Sequence, residues 1–328
     1  MLTARQNFIE AITGGNPDRF VNQYEALGLI PANPIGAAGG YPRNPGESAV
    51  DIWGVTHVFE PGTPGPFPVH DDEHKVIKDI TEWRKHLKVP QLIFPDAMWD
   101  GMKGPLVDSI NTEVQLATLF YPVGLFERAH YLMGIEETLI NLLEEPEEMH
   151  ELLDVLTDFE IGYAEQVCSH WHIEAVFHHD DWGTQKNSFM SSAMFEEFFV
   201  PRYKKIYDTY RKLGVKYIIH HNDSYCANLV PQMIEMGIDV WQGVLSVNDI
   251  PALIEKYGDK IAFMGGIDNG IVDRADWTPE KVDEYVTGIC GQCGKKAFIP
   301  CMCAGMPGSA HEGVYEAVSA AIAKLNNH

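Results

Sequence analysis

The chain is short of positive charge. Against 47 Asp and Glu it carries only 24 Lys and Arg, a formal net charge of −23. Nucleic acids and anionic membranes are held by basic faces that displace counterions, so both are excluded as expected partners. It also lacks any apolar run long enough to span a bilayer, and its polar start, MLTARQNF, does not read as a signal or transit peptide, which points to the cytoplasm. No low-complexity tract, no Gly-rich dinucleotide turn and no Asp-x-His-x-x-Gly cobalamin-carrying segment occurs. The six cysteines (168, 226, 290, 293, 301, 303), with no secretion signal, read as thiols or metal ligands rather than disulfides.

What is present is a large apolar fraction, 45% over 328 residues, enough for a sizeable core in one α/β barrel or two smaller domains. The most informative stretch is Val215 to Asp223, VKYIIHHND: a strand running into a polar cluster, followed by a helix that ends at Gly237. Side chains alternate along a strand, and the expected inward set is Lys216, Ile218, His220 and Asn222. Ligands of α/β folds bind at the carboxyl ends of strands, where His220, His221, Asn222 and Asp223 fall.

Along the chain, a helix near TARQNFIEAITGG leads to a first strand, DRFVNQYEAL, with Asn22, Tyr24 and Glu25 near its carboxyl end. Residues 31–70 are rich in Pro and Gly, with a strand expected at DIWGVTHVF, and loops this long are usually either functional or mobile. From residue 115 strands and helices alternate: TLFYPV, EAVFHHDDWG, VKYIIHHND, DVWQGV, KIAFMGGID and AFIPCMC. Eight strand-like segments with helices between most of them specify an α/β fold, a (β/α)8 TIM barrel of one domain over residues 1–328, with the 31–70 insertion over its carboxyl-end mouth.

GLFERAHYLMG, HHDDWGTQ, GVKYIIHHND and YGDKIAFMGGIDN together resemble the uroporphyrinogen decarboxylase superfamily, over nearly all of the chain from about residue 115. The likeness is greater to its cobalamin-dependent methyltransferase branch, including O-demethylases of methoxylated aromatics. The decarboxylase uses an Arg-rich segment after its first strand; VNQYEALGL has no Arg there. The methyltransferase branch implies zinc bound by His-x-Cys after the fifth strand and a Cys after the eighth. Here His220 matches the His, Asn222 replaces the first Cys, and Cys303 falls at the last position, with Cys301 on the same strand face as a substitute. An amide is a poor zinc ligand, so a third donor is needed from Glu25, His178, Asp180, Asp181, His221 or Asp223. An isolated His is more often a hydrogen-bonded core residue, and free Cys is often an apolar filler. The clustering of His220 with His221, Asn222 and Asp223 favours function.

Asp180, Glu127 and His221 are the acid–base candidates, although Glu127 also suits a helix start. Asn22, Tyr24, Tyr121, Phe126, His178, Trp182 and Asn222 are candidate substrate contacts, and Trp53 and Trp241 could join the aromatics as a wall for a flat ring. His170 and His172 precede the fourth strand, away from the mouth. Cys290 and Cys293 lie roughly 30 Å of extended strand from Cys303 and cannot share its ion.

The resemblance thus implies methyl transfer from a small O-methyl donor to cobalt, with cobalamin carried by a partner corrinoid protein and zinc or an acid activating the leaving oxygen. The alternatives are a methylcobalamin:thiol methyltransferase, a uroporphyrinogen-type decarboxylase and a non-catalytic ligand-binding barrel. A homodimer is compatible with all of them.

Overall fold

The computed structural model describes residues 1–63 and 65–327. Seven parallel strands form one curved sheet in the order β1 (Leu27–Ile30), β5 (Leu116–Tyr121), β6 (Ala175–His179), β7 (Tyr217–His221), β8 (Val240–Val244), β9 (Ala262–Ile267) and β10 (Phe298–Met302). A small antiparallel sheet between β1 and β5 comprises β2 (Ser48–Val50), β3 (Thr56–Val58) and β4 (Phe67–Pro68). Helices cross between successive barrel strands, among them Leu125–Met133, Pro146–His170, Val200–Lys212 and Pro279–Cys293. This is the TIM-barrel architecture.

The register separates two layers of core. Leu27, Leu116, Ala175, Phe177, Ile219, Val240, Ala262, Met264, Ile299 and Cys301 fill the barrel. Val176, Ile218, Trp241, Phe263 and Phe298 point outward and pack with the helices. His178 of β6 lies opposite His220 of β7, and His179 opposite His221.

The expected first strand, DRFVNQYEAL, is displaced: residues 23–26 turn and the hydrogen-bonded strand begins only at Leu27. Gln23, at φ 53°, makes that turn. Its N–H donates to Pro300 O at 3.2 Å and its Oε1 accepts from Met302 N at 3.3 Å, so the chain before β1 lies along the free edge of β10. That segment fills the eighth stave without ladder pairing.

The insertion lies at the carboxyl end, as expected, because its anchors belong to that end. Asp51 accepts from Arg128 Nη1 at 2.8 Å, and Arg128 is in the first turn of the helix that follows β5. Trp53 meets Phe159 edge-on at 4.6 Å. The strand expected over DIWGVTHVF is shorter, Thr56–Val58, since Asp51 to Gly54 form a turn closed by the Asp51 carboxylate on the N–H groups of Trp53 and Val55.

Candidate functional site

β6 and β7 each end in two histidines, and the strand pleat sends one of each pair to either side of the sheet. His179 and His221 face the barrel and stack at 4.3 Å between ring centroids. His221 also lies against Phe177, a barrel-filling residue. Asp181, two residues beyond β6, places a carboxylate oxygen 3.8 Å from His221 Nε2. One donor atom each from His179, Asp181 and His221 lie within 4.8 Å of one another, the spacing of groups that could share a metal ion.

Both rings are held from behind. Glu127 Oε2 is 2.8 Å from His179 Nδ1, and Gln242 Oε1, from β8, engages His221 Nδ1. Nδ1 of each ring therefore faces an oxygen, and Nε2 is left with no hydrogen-bond partner among the described residues. A carboxylate or amide oxygen behind each imidazole is the arrangement that fixes the tautomer of a ligating histidine. Gly305, after β10, closes on the rings: a Cβ there would stand 3.0 Å from His179 Cδ2 and 3.1 Å from His221 Nε2. The donor set of two imidazoles and one carboxylate fits a borderline divalent ion such as zinc.

The charges are mutually adjusted. Burial opposes a charged His179, but Glu127, Asp181 and Asp180 outweigh it and raise the ring to about 10, so an ion bound through its Nε2 would displace a proton. Burial raises Glu127 to about 8 against the pull of His179. His221 is pushed down to about 4, by burial and then by His179, and so stays neutral. Asp223 is pushed up to about 7 by burial and by neighbouring Asp181. Its backbone N–H donates to Asp181 at 2.9 Å, which places it at the edge of the cluster.

The expected metal set of His220, Cys303 and Cys301 is not assembled. His220 is on the outer face, its Nδ1 2.8 Å from Tyr207 Oη and its ring stacked on Trp182 at 4.1 Å. Cys301 fills the barrel core, and Cys303 Sγ is 3.4 Å from Val244 O and 3.5 Å from Asp268 Oδ1. Burial pushes both thiols up, away from the thiolate that binds metal.

Asp180 is likewise not placed as an acid. Its carboxylate is fully buried and accepts from Phe126 N (3.0 Å), Glu127 N (2.7 Å), Trp182 Nε1 (2.8 Å) and the Tyr203 hydroxyl. It pins the start of the Leu125–Met133 helix and so positions Glu127 behind His179. Gly124 is required there, since a Cβ would lie 2.6 Å from both Asp180 Cβ and Tyr203 Oη.

Several expected substrate contacts prove structural. His178 is buried, its Nε2 2.9 Å from Glu160, and stacks on Tyr121. Trp182 packs against Phe195, and Phe126 against Phe189 and Phe199. Asn222 uses Oδ1 to accept from Ser224 N at 3.1 Å and Nδ2 to reach Cys226 Sγ, stabilising the turn. Asn22 and Tyr24 instead line a cleft of 460 Å³ with Glu25, Leu29 and Tyr315 at the seam beside β1. Tyr24 Oη donates to Ala304 O, in the loop that leads to Gly305. Sequence reasoning missed His179 as a donor and Gln242 altogether. Strand parity corrected by one residue finds His179, whereas nothing local marks Gln242.

Fold and site together define a TIM-barrel protein with a metal-competent cluster at its mouth. The chain belongs to the uroporphyrinogen decarboxylase (URO-D) family, whose model matches residues 108–325. Among solved structures it is similar to a methyltransferase from Methanosarcina mazei, with a TM-score of 0.65 and 14% identity over 99% of each chain. A search of curated proteins finds no match. No helix among the described residues is long and apolar enough to cross a membrane.

Proposed function

We propose that this protein is a methyltransferase that moves a methyl group from a small O-methyl donor, such as a methoxylated aromatic, to the cobalt of a partner corrinoid protein. The observation that carries the reading is the His179, Asp181, His221 cluster at the mouth, with both Nδ1 atoms already engaged. The family and the methyltransferase neighbour support it. A divalent ion held by these three residues would supply Lewis acidity toward the oxygen that loses the methyl group.

In the reaction the methyl carbon leaves oxygen for cobalt(I), whose electron pair makes the new bond, and the oxygen retains the old pair and needs a proton. Asp223, whose backbone N–H bonds Asp181 at the edge of the cluster, is placed to deliver that proton. Glu127 and Gln242 keep the imidazoles in one tautomer, and Gly305 leaves room for a ligand against them. Decarboxylation of a polycarboxylate is disfavoured because VNQYEALGL brings no Arg to the end of the first strand. Arg19, at the start of the expected first strand, is paired with Glu25.

The test is an anaerobic assay with cob(I)alamin or a corrinoid carrier and a panel of methoxylated aromatics, methanol and methylamines, followed by the absorbance of methylcobalamin. Methyl-cobalt formation with an O-methyl donor is expected. Its absence across the panel with a competent carrier overturns the reading, and turnover with methylamines alone replaces the donor class.

A further inference from the structure

Where the insertion meets the barrel, two imidazoles meet edge to face. His70 follows β4 in the insertion, and His130 lies one helical turn after Glu127 on the Leu125–Met133 helix. Their rings stand 5.8 Å apart between centroids at 80°. His70 Nε2 and His130 Nδ1 are both buried and have no hydrogen-bond partner among the described residues. A buried polar atom left unpaired costs about 1–3 kcal/mol, so two on adjoining rings mark a place where a partner belongs.

The chemistry of those atoms narrows the partner. Burial favours the neutral rings, lowering His70 and holding His130 down to about 3, so each can present a lone pair. With Zn–N bonds of about 2.0–2.1 Å, two imidazoles on one tetrahedral ion have centroids roughly 5 Å apart, a modest closure from the observed spacing. A third imidazole stands nearby: His57, which pairs with Pro68 two residues before His70, has its Nδ1 buried and unpartnered and its Nε2 backed by Asp51 Oδ2 at 3.3 Å. A carboxylate behind a ring with a free second nitrogen repeats the pattern seen at the mouth.

We propose that His70 and His130 bind a divalent transition-metal ion of the zinc or nickel class, with water or His57 completing the shell, and that this ion latches the insertion to the barrel. The site is separate from the mouth cluster and does not depend on the methyltransferase reading. Its ligands come from both sides of the joint, so binding stabilises the docked insertion by mass action.

The experiment uses the full chain stripped of metal and titrated with zinc or cobalt(II), in four forms: wild type, His221→Ala, His70→Ala and the His221→Ala/His70→Ala double variant. Calorimetry gives the stoichiometry, and limited proteolysis within residues 31–70 reports the latch. We expect His221→Ala to bind one ion and the double variant none, with the ion slowing cleavage at least several-fold only where His70 is present. An ion retained by the double variant, or no binding by His221→Ala, overturns the proposal. If His70→Ala changes the circular dichroism of the apo protein, His70→Gln replaces it, keeping the volume and losing the imidazole. Failure of the mouth site would show separately, as His70→Ala binding no metal.

Discussion

His178 and His220 differ from His179 and His221 by one position along each strand, and by everything their rings touch. The outer pair is sealed between sheet and helices, stacked at 5.6 Å on each other and held by Glu160 and Tyr207. The inner pair has one nitrogen per ring engaged and the other free toward Asp181. Four copies of one side chain therefore do two jobs: one pair is a desolvated packing element and the other a donor set. What separates them is the pleat of the strand, not the residue type.

The comparison breaks most sharply at β7. His221→Ala should abolish stoichiometric metal at the mouth, lowering affinity by more than about a hundredfold, beyond the usual effect of losing a supporting partner. Elemental analysis of the purified variant checks this, and full occupancy of the mouth site would place the donor set elsewhere. His220→Ala should do the opposite. It leaves a cavity beside Trp182 and strips Tyr207 of its partner, costing about 3 kcal/mol while leaving metal stoichiometry unchanged. Denaturant unfolding and metal content measured on the same sample separate the two outcomes.

Why the sequence placed His220 inside is visible in the strand itself. Ile218 and Ile219 are both apolar and both fully buried, because a parallel sheet is covered on both faces. Without alternation between apolar and polar residues, the inward face of YIIHH is not marked, and a one-residue slip reverses every assignment. The strands from β5 to β10 were legible because each is an apolar run bounded by turn residues. Cys301 lies on the barrel-filling face with Ile299, as the two-residue period of AFIPCMC allows. The first strand was not legible, because the apolar residues of DRFVNQYEAL fit an extended segment whether or not it pairs. Gln242 and Glu127 reach the histidines across 21 and 52 residues of sequence, and no local pattern carries such a contact.

The supports of the inner pair sharpen the contrast further. Glu127→Gln preserves shape and an acceptor oxygen but removes the carboxyl group behind His179, and Gln242→Leu removes the acceptor behind His221. Each should weaken metal binding at the mouth by about 10–100-fold with little change in stability. Titration with zinc against a chelating indicator measures it. An unchanged affinity in both variants would mean that ring orientation is set by packing alone.

The smallest effect is expected where the insertion meets the barrel. Asp51 binds Arg128 Nη1 at 2.8 Å and lies 3.3 Å from His57 Nε2. Burial works against its charge, but hydrogen bonds from His57 and Arg128 prevail and hold the carboxyl down at about 2, below its ordinary 3.8. For an acid depressed on folding, the charged form is the one the fold favours, so its stabilisation is complete above the unfolded value and is lost as pH falls through the folded one. Asp51→Asn should therefore loosen the insertion by about 1–2 kcal/mol at neutral pH, the range for a hydrogen bond to a charged group. The gap between wild type and variant should stay constant down to about pH 5 and shrink below about pH 4. Hydrogen exchange over residues 48–58 at a series of pH values follows it, while metal at the mouth should be untouched. A gap that persists undiminished near pH 2 would show that Asp51 holds the insertion by shape and not by charge.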